Sequence, residues 1–416
     1  MDACPHRQSL KTVPLPHSSP SPGKLRILQL FASYLQFGGE EGSVRRISQT
    51  LQERFDVETF YSSSEQMLSG GVLDKLMVPI KAYRNREILD KLERTHKAGG
   101  FAVWQIHNVF PAISPGAYTL AKQLDVPIIH YLHNYRFGCV NAFLFTQGAE
   151  CRKCLTGNFI HGAIGRCWRD SHAQSTVMAL MLADVKRRGL FDQVTRWIAI
   201  SEAQRQIHIA MGVPAGKIDV VHHYLEHSPD AEPPEFPVNG YGMFIGRLSP
   251  EKGVDRLLEA WASLPGDRRL VIAGDGPEMG ALQHLAMTLK LENVTFTGFL
   301  DRDAQRELWA GAAFSIIPSV WQEPFGMVVL EAWAQGRPVV AHRIGALPEL
   351  ITHGVNGFLA DPDNTEDLSV VLEDCFKAGQ SLEAMGRNGL ERLITHHNKT
   401  IWLNRIEQVY NNAGLL

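Results

Sequence analysis

The chain has 416 residues, 44% of them hydrophobic and 20% charged, a balance typical of a soluble globular protein and a length that suggests two domains. Its 41 Lys and Arg against 44 Asp and Glu give a net charge of -3, so the overall charge offers no case for binding nucleic acid. No apolar run approaches the roughly 20 residues of a membrane-spanning helix, and six cysteines are too few for a disulfide scaffold, which favours a reducing, cytoplasmic setting.

The first half of the chain predicts one α/β domain. Residues 1–23 are rich in proline and serine and lack an apolar segment, so they are interpreted as a flexible leader rather than a secretory signal. The apolar run 25–31 ends near Gly38 and Gly39, and a pattern of helical period follows. This order of strand, turn and helix recurs, which predicts a parallel sheet covered on both faces at 24–224.

The composition changes at 225–240, where four prolines and four carboxylates indicate an interdomain linker. The alternation of apolar runs and helical stretches then restarts, which predicts a second doubly wound α/β domain at 241–398. The last segment, 399–416, carries apolar residues at helical spacing and is predicted to be a closing helix packed on one of the domains.

The most informative motif lies at 319–350, where an apolar strand leads through a loop into an apolar helix. A loop with Gly326 at a helix N-terminus offers free N–H groups and the positive end of the helix dipole to an anion such as diphosphate. Seven residues separate Glu323 from Glu331, which stands in an apolar run where a carboxylate needs a partner or a ligand, such as sugar hydroxyls. The alternative is a pair of ordinary surface carboxylates.

Two cations, Arg247 and Lys252, follow the first predicted strand of the second domain in the segment GRLSPEKG. They fall at the carboxyl end of the predicted sheet, where open α/β folds bind ligands. Two cations at that edge would neutralise a diphosphate leaving group. The alternative is a solvated turn in which Glu251 pairs with one of them. A glycine loop at 274–277 follows the next strand and by itself indicates only a turn.

In their order and spacing, the segments GRLSPEKG, AGDGP, NVTFTGFL, EPFGMVVLE and GVNGFLADPDN resemble glycosyltransferase family 4. The resemblance covers about residues 24–410 and is strongest at 241–365. It implies the GT-B fold, in which two Rossmann-like, doubly wound domains face each other across a cleft and a C-terminal helix closes back. It also implies a retaining enzyme that uses a nucleoside diphosphate sugar as donor.

The resemblance assigns a role to each matching residue. Arg247 and Lys252 would hold the donor diphosphate. Glu323 would bind the transferred sugar, and Glu331 the nucleotide ribose. Further donor contacts would come from backbone N–H groups of the second domain and from glycines of the first that let the backbone come close. These residues are Phe325, Gly326, Met327, Gly38 and Gly39.

A histidine of the first domain contacts the sugar near the reacting centre in this family, and His133, at the end of a predicted strand, matches it. It completes a predicted catalytic set with Arg247, Lys252 and Glu323. His130, three residues earlier, is interpreted as structural. The pair His107-Asn108 follows another strand, and whether it shapes the acceptor side stays open.

One segment departs from the family pattern. After the strand near 217–222 the family often has an Asn-Gly-Val-Asp-like turn, whereas this chain has His222, His223 and Tyr224. Contacts from this hinge to donor or acceptor are therefore not carried over.

For the mechanism we expect same-face substitution through an oxocarbenium-like state, because no carboxylate nucleophile is placed as in retaining glycosidases. Two side-chain cations and a helix dipole would stabilise the leaving diphosphate, so no catalytic metal is expected. The expected acceptor is a glycan or lipid-linked molecule of polysaccharide or lipopolysaccharide biosynthesis. A nucleotide-sugar epimerase, a phosphorylase and a non-catalytic nucleotide-sugar binding protein are the alternatives.

Four thiols cluster in an insertion at 139–167. A single C-x-x-C among them fits a tetrahedral structural zinc site, and the alternatives are buried free thiols or a redox pair. The four residues are Cys139, Cys151, Cys154 and Cys167.

Residues 72–97 mix Lys and Arg with apolar side chains, a pattern typical of an amphipathic basic helix. Such a helix would rest on the anionic inner face of the cytoplasmic membrane, where a lipid-linked acceptor is found. The alternative is a helix that covers the sheet and exposes a solvated outer face.

Overall fold

The computed structural model describes residues 23–33, 39–63, 82–226, 232–237 and 239–416. Most of the predicted leader, Gly38, residues 72–81 and part of the predicted linker lie outside the described residues.

The first sheet is built from short strands that follow the predicted apolar runs. In chain order the strands up to residue 220 are Arg26–Ser33 (β1), Asp56–Ser63 (β2), Val103–Asn108 (β3), Ile128–Tyr131 (β4), Phe145–Thr146 (β5), Ala149–Glu150 (β6), Arg196–Ala199 (β7) and Ile218–Val220 (β8). The pair β5 and β6 forms an antiparallel hairpin, and the other six make a sheet in the order β2-β1-β3-β4-β7-β8. Strands β1, β3 and β4 are buried at nearly every position, as in a parallel sheet covered on both faces.

Helices connect these strands. They are Gly39–Leu51 (α1), Arg86–Gly99 (α2), Gly116–Gln123 (α3), Ile160–Ile164 (α4), His172–Arg187 (α5) and Glu202–Ala210 (α6). Helix α2 is the described part of the basic stretch. It begins at a cap from Asn85 and ends at left-handed Gly100, and its Leu89 and Leu92 are buried, so its apolar side faces the protein. Membrane contact by 72–97 stays a prediction.

The second sheet contains six parallel strands: Tyr241–Ile245 (β9), Leu270–Ala273 (β10), Val294–Gly298 (β11), Ala312–Ile317 (β12), Val339–His342 (β13) and Gly357–Ala360 (β14). Their order is β11-β10-β9-β12-β13-β14. The chain winds outward in one direction from β9 and in the other from β12. The loops after these two strands therefore flank the switch point, where doubly wound sheets bind ligands. The predicted class, α/β with two doubly wound sheets, is confirmed.

Eight helices of the described chain belong to residues 254–412: Val254–Trp261 (α7), Met279–Thr288 (α8), Arg302–Gly311 (α9), Met327–Ala334 (α10), Leu347–Leu350 (α11), Thr365–Lys377 (α12), Ser381–His396 (α13) and Lys399–Asn412 (α14). The core around β9, β10 and β12 is formed by large apolar side chains, among them Phe244, Trp261 and Phe314. Every helix in the described ranges is too short or too polar to cross a bilayer.

The described chain divides into two compact units. One contains the residues up to Tyr131 with Arg187–Trp197 and Val409–Leu416, and the other contains Leu132–Lys186 with Ile198–Gln408. In the first unit, Tyr410 near the end of α14 bonds Gln105 of β3 and stacks edge-on against Phe55. In the second, Trp402 of α14 packs on Tyr224. The exact domain limits at 24–224, 225–240, 241–398 and 399–416 stay predictions.

Candidate functional site

Glycines let the loops at the carboxyl edge of the second sheet touch. A Cβ on Gly274, whose φ is +138°, would lie 1.8 Å from the carbonyl oxygen of Gly246. A Cβ on Gly276 would lie 2.2 Å from the oxygen of Leu248, whose own N–H donates to the carbonyl of Asp275 at 3.0 Å. No other residue fits there without moving backbone. The loop after β10 therefore supports the GRLSPEKG loop after β9.

The GRLSPEKG loop is also fixed to the loop after β12. Gly253 is left-handed, with φ +64°, and a Cβ on it would meet the carbonyl oxygen of Pro318 at 2.1 Å. The N–H of Val320 donates to the carbonyl of Glu251 at 3.0 Å. These contacts bring Lys252 beside the motif that begins at Ser319.

Glu323 is the centre of this arrangement. Its side chain is buried, and one carboxylate oxygen, Oε2, accepts three hydrogen bonds. The donors are Lys252 Nζ at 2.9 Å, Trp321 Nε1 at 3.0 Å and the Ser319 hydroxyl at 3.1 Å. Lys252 Nζ also stands 5.3 Å from the centre of the Trp321 ring. A buried carboxylate is costly unless its charge is compensated. These three donors compensate the buried carboxylate and hold it in one orientation.

The backbone of Glu323 is fixed as well. Its carbonyl accepts from the N–H of Ala346 at 2.9 Å, and a Cβ on Gly345 would lie 2.4 Å from its backbone N and O. The loop is further held by His342 at the end of β13, whose Nδ1 bonds the carbonyl of Ser319 at 3.1 Å. Burial lowers the pKa of His342, so at neutral pH it is an uncharged donor. The sequence analysis did not single out His342, because it ends an apolar run as a core residue would.

Helix α10 begins directly after this loop. Gly326 precedes its first residue in a left-handed conformation, φ +95°, and its Cβ position lies 2.8 Å from a methyl group of Leu347. A positive dipole end therefore faces the loop that carries Glu323. Glu331 lies in the second turn and is half-buried, and Met327 is the first helical residue.

The remaining predicted residues occupy different environments. Arg247 is exposed on the loop after β9, and no described residue bonds its guanidinium group. Gly39 is the first residue of α1, which follows β1. Asn108 bonds the carbonyl of Ala32 at the end of β1. Its neighbour His107 is buried, with the Gln29 and Gln105 amides 2.6 and 3.1 Å from its Nε2.

The two histidines of the HYLHN segment differ. His130 is buried next to the Trp197 ring, with its Nδ1 3.4 Å from the Tyr118 hydroxyl. His133 is half-buried after β4, and its ring stacks on that of His223, with centroids 6.1 Å apart. His130 is thus in the core, whereas His133 packs against His223 of the atypical hinge.

The ring of Phe325 is surrounded by histidines, two of them from the hinge. The centroid of the Phe325 ring lies 5.3 Å from the His223 ring centroid, 5.8 Å from that of His222 and 6.0 Å from that of His397. His397, between α13 and α14, is buried and bonds the carbonyl of His223 through Nδ1 at 3.2 Å. Burial lowers its pKa to about 3, with further lowering by the nearby His222, Arg392 and His396. The histidines that replace the family's usual turn therefore pack on the EPFG loop.

Two further contacts, one from Ser201 to this loop and one from Glu349 to the start of α6, were not predicted from the sequence. Ser201 caps α6 and donates its hydroxyl to the carbonyl of Pro324 at 2.8 Å. The carboxylate of Glu349 accepts from the N–H groups of Ala203 at 2.6 Å and Glu202 at 2.9 Å, and lies 3.3 Å from His222 Nε2. Ser201 followed by Gln204 is a visible capping signal. The partners of Glu349 lie more than 120 residues away and leave no local signal.

Burial raises the pKa of Glu349, but the hydrogen bonds from His222 and from the Ala203 and Glu202 N–H groups outweigh it, and the net pKa is lowered.

The four clustered cysteines line one pocket together with His161. All four are free thiols. Burial and the nearby Cys139 raise the pKa of Cys154 to about 11. Within the described residues no group of three or more His, Cys, Asp or Glu is placed so that it could hold a metal ion in this conformation.

Comparison with known proteins decides the family. Residues 239–392 match the group 1 glycosyl transferases, and residues 37–228 match glycosyltransferase family 4. The chain belongs to this glycosyltransferase family.

Curated relatives align with the family 4 chain over part of their length. An uncharacterised glycosyltransferase of Methanocaldococcus jannaschii is 39% identical over 130 residues, 30% of this chain and 33% of that protein. The alpha-D-kanosaminyltransferase of Streptomyces kanamyceticus is 29% identical over 177 residues, 42% of this chain and 46% of that protein. The alignments therefore span about a third to a half of these relatives.

Solved structures match the family 4 chain over nearly its whole length. The crystal structure of Anabaena Alr3699/HepE in complex with UDP superimposes with a TM-score of 0.65 at 20% identity, covering 93% of this chain and 100% of that one. The lipopolysaccharide outer core galactosyltransferase WaaB gives a TM-score of 0.64 at 17% identity, covering 93% and 99%. These matches confirm the predicted GT-B fold.

Proposed function

We propose that this chain is a retaining glycosyltransferase that moves a sugar from a nucleoside diphosphate sugar to a glycan or a lipid-linked acceptor. The observation that carries the proposal is the Glu323 carboxylate, held by Lys252, Ser319 and Trp321 at the switch point of the second sheet. A lysine ammonium group, a hydrogen-bonded carboxylate and a helix N-terminus meet there, a combination that suits an anionic leaving group attached to a polyol.

The donor diphosphate would be bound by Lys252, by exposed Arg247 and by the N-terminus of α10. All three lie on or directly after the loops that follow β9 and β12, which the glycine contacts hold together. Glu323 Oε2 is occupied by its three donors, so hydroxyls of the transferred sugar would bond the other carboxylate oxygen. Glu331, half-buried in α10, would accept from the ribose hydroxyls, and Gly39 with Gly38 would contact the donor from the first sheet.

Transfer would proceed by same-face substitution. As the glycosidic bond breaks, negative charge grows on the diphosphate, and Lys252 and Arg247 stabilise that charge more strongly than the charge of the intact donor. The leaving phosphate oxygen takes the proton of the attacking acceptor hydroxyl. His133 would contact the sugar beside the reacting carbon. Because side-chain cations and the helix dipole supply the positive charge, we expect turnover to survive a short assay in EDTA.

The names of similar proteins support this substrate class. One solved neighbour is Anabaena HepE in complex with UDP-glucose, and another is a galactosyltransferase of the lipopolysaccharide outer core. We therefore propose a role in cell-surface polysaccharide or lipopolysaccharide synthesis, with the protein in the cytoplasm and 72–97 at the inner face of the membrane.

A thermal-shift panel of nucleoside diphosphate sugars tests the donor. A true donor stabilises the folded state by about 2.7 kcal/mol at 100 times its dissociation constant, whereas sugars with the wrong base leave the melting temperature unchanged. The hit is then incubated with acceptor glycans, and the product's anomeric configuration is read by NMR. An inverted product would contradict retention. Conversion of the donor sugar without any acceptor would indicate an epimerase, and binding without turnover a binding protein.

A further inference from the structure

We propose that Cys139, Cys151, Cys154 and Cys167 bind one structural zinc ion, and that this ion braces the loop carrying Glu323. The four thiols come from three stretches of the chain, around residues 139, 151–154 and 167, that the fold brings to one pocket. The thiol site lies outside the proposed donor contacts, and only its bracing role rests on the proposed function.

The turns that present the thiols are well defined. Cys151 follows the β5–β6 hairpin, and its N–H donates to the carbonyl of Leu144 at 2.7 Å. The carbonyl of Cys154 accepts from Gly157 at 2.9 Å, which closes the next turn. Cys167 follows α4, and its N–H donates to Gly162 at 3.1 Å. A C-x-x-C pair after a hairpin, joined by two more distant thiols, is an arrangement that suits tetrahedral zinc.

The segment that contains these thiols has little regular structure of its own. Between residues 139 and 167 it forms two two-residue strands and one helix of five residues. Of the nine non-glycine residues with positive φ in the described chain, six lie between 142 and 170. Left-handed backbone is unfavourable for residues with a Cβ. Such a segment needs an extra source of stability, and zinc ligation supplies it in small irregular folds.

The chemistry of the pocket favours zinc over a disulfide. All four thiols are free in the structure, and thiolate sulfur is a soft ligand that binds zinc strongly. The side chains line the pocket wall without yet forming a coordination group, so we expect them to turn toward the ion when it binds. Each thiol that becomes a ligand releases its proton to solvent.

The thiol segment contacts the candidate site directly. The ring of Phe143 lies 5.4 Å from that of Trp321, and Trp321 donates to Glu323. On the other side of the hairpin, Glu150 accepts from the side chain of Gln322 at 2.7 Å. Both contacting residues lie between Cys139 and Cys151. A metal ion that holds residues 139–151 in place would therefore also hold the two residues, Phe143 and Glu150, that contact the Glu323 loop.

Metal analysis of the full-length protein, purified under reducing conditions without added metal, tests the site. We expect about one zinc per chain, released by an organomercurial thiol reagent and detected with a chromogenic chelator. Replacement by Co²⁺ should give the intense visible bands of a tetrahedral thiolate site. Cys151→Ser and Cys154→Ser should lower the bound zinc about tenfold or more.

Two variants serve as controls. His161→Ala removes the histidine of the same pocket, and Cys375→Ala removes a buried thiol of α12; both should keep the zinc. Loss of zinc from His161→Ala would overturn the four-thiol set. A wild-type protein without zinc, one that contains iron, or one with disulfides among these cysteines by mass spectrometry would overturn the proposal. These readouts are independent of transfer activity.

The bracing role has a separate readout. In Cys151→Ser the donor KM should rise about tenfold while the overall secondary structure persists. An unchanged KM in a zinc-free, folded variant would overturn the bracing role and leave the metal site itself standing. A zinc-loaded protein without any transfer activity would contradict the proposed function instead.

Discussion

The ammonium group of Lys252 lies 2.9 Å from Oε2 of Glu323, although the two residues are 71 positions apart in the chain. One residue is the proposed diphosphate ligand and the other the proposed sugar ligand, so the pair links the two halves of the donor site. A diphosphate bound beside Lys252 would give its ammonium group a second anionic partner. Glu323 would still accept hydrogen bonds from Trp321 and Ser319.

Removal of the two cations should slow transfer. Arg247→Ala and Lys252→Ala should each lower kcat about 100-fold or more, because both cations are proposed to stabilise charge that grows on the leaving diphosphate. Arg247 is exposed, so its replacement should leave the melting temperature unchanged. Arg306→Ala, which removes an exposed arginine of α9, is the control and should retain full activity. Wild-type rates in either test variant would contradict the assigned roles.

Glu331 should affect nucleotide binding, whereas Glu323 should affect turnover. Glu331→Gln should weaken binding of the free nucleoside diphosphate about tenfold, roughly 1.4 kcal/mol, because the ribose contact is the same in ground and transition states. Glu323→Gln should bind the same nucleotide normally and lose about 100-fold in turnover, because its contact changes as the glycosidic bond breaks. Calorimetry with the nucleotide alone separates them. Equal loss of nucleotide affinity in both variants would refute this division.

Ser201 should act on the donor site through the Pro324 carbonyl. Ser201→Ala removes a helix cap, which costs about 1 kcal/mol, and also removes the hydrogen bond to the carbonyl of Pro324, the residue after Glu323. Asn364→Ala removes the cap of α12, where the side chain accepts from Glu366 and Asp367. Both variants should lose similar stability, but only Ser201→Ala should raise the donor KM. The same KM in both would show that Ser201 acts only as a cap.

Glu349 should make stability depend on acidity. Its folded-state pKa is lowered from the usual 4.5, so the stability it contributes is present above that value and is lost as the pH falls through the lowered pKa. Wild type should therefore melt higher than Glu349→Gln at neutral pH, and the difference should shrink below pH 4.5. Melting curves at several pH values test this. A difference independent of pH would mean that the charge of Glu349 contributes nothing.

Protonation of His397 should cost folding stability as the pH falls below 6.5. Its pKa is lowered from 6.5 to about 3, so the folded state resists its protonation and loses stability as the pH falls from 6.5 toward 3. The loss approaches about 1.4 kcal/mol for each pH unit. His397→Asn keeps an N–H near the His223 carbonyl and removes the titration. Its melting temperature should fall less than that of wild type between pH 6.5 and 4. Parallel curves would contradict the prediction.

The order of helices and strands was predictable because it depends on local patterns. Strand β12, for example, is buried on both faces and has an apolar sequence interrupted by one serine. The conformations of Gly253 and Gly326 were not predictable in detail, although their positions next to a loop and a helix start were visible. His107 shows the limit of such patterns, because a polar residue at a strand end can bond within the core, as it does to Gln29.

The sequence by itself determined the α/β class, the two parallel sheets and the residues that gather at the carboxyl edge of the second, because strand and helix periods and motif spacing are local properties. Only the tertiary structure decided which groups meet. It joined Lys252 to Glu323, placed Phe325 among His222, His223 and His397, and set the carboxylate of Glu349 at the start of α6. Contacts between residues more than 70 positions apart depend on how the sheets wind and how the loops pack, and no local pattern encodes them.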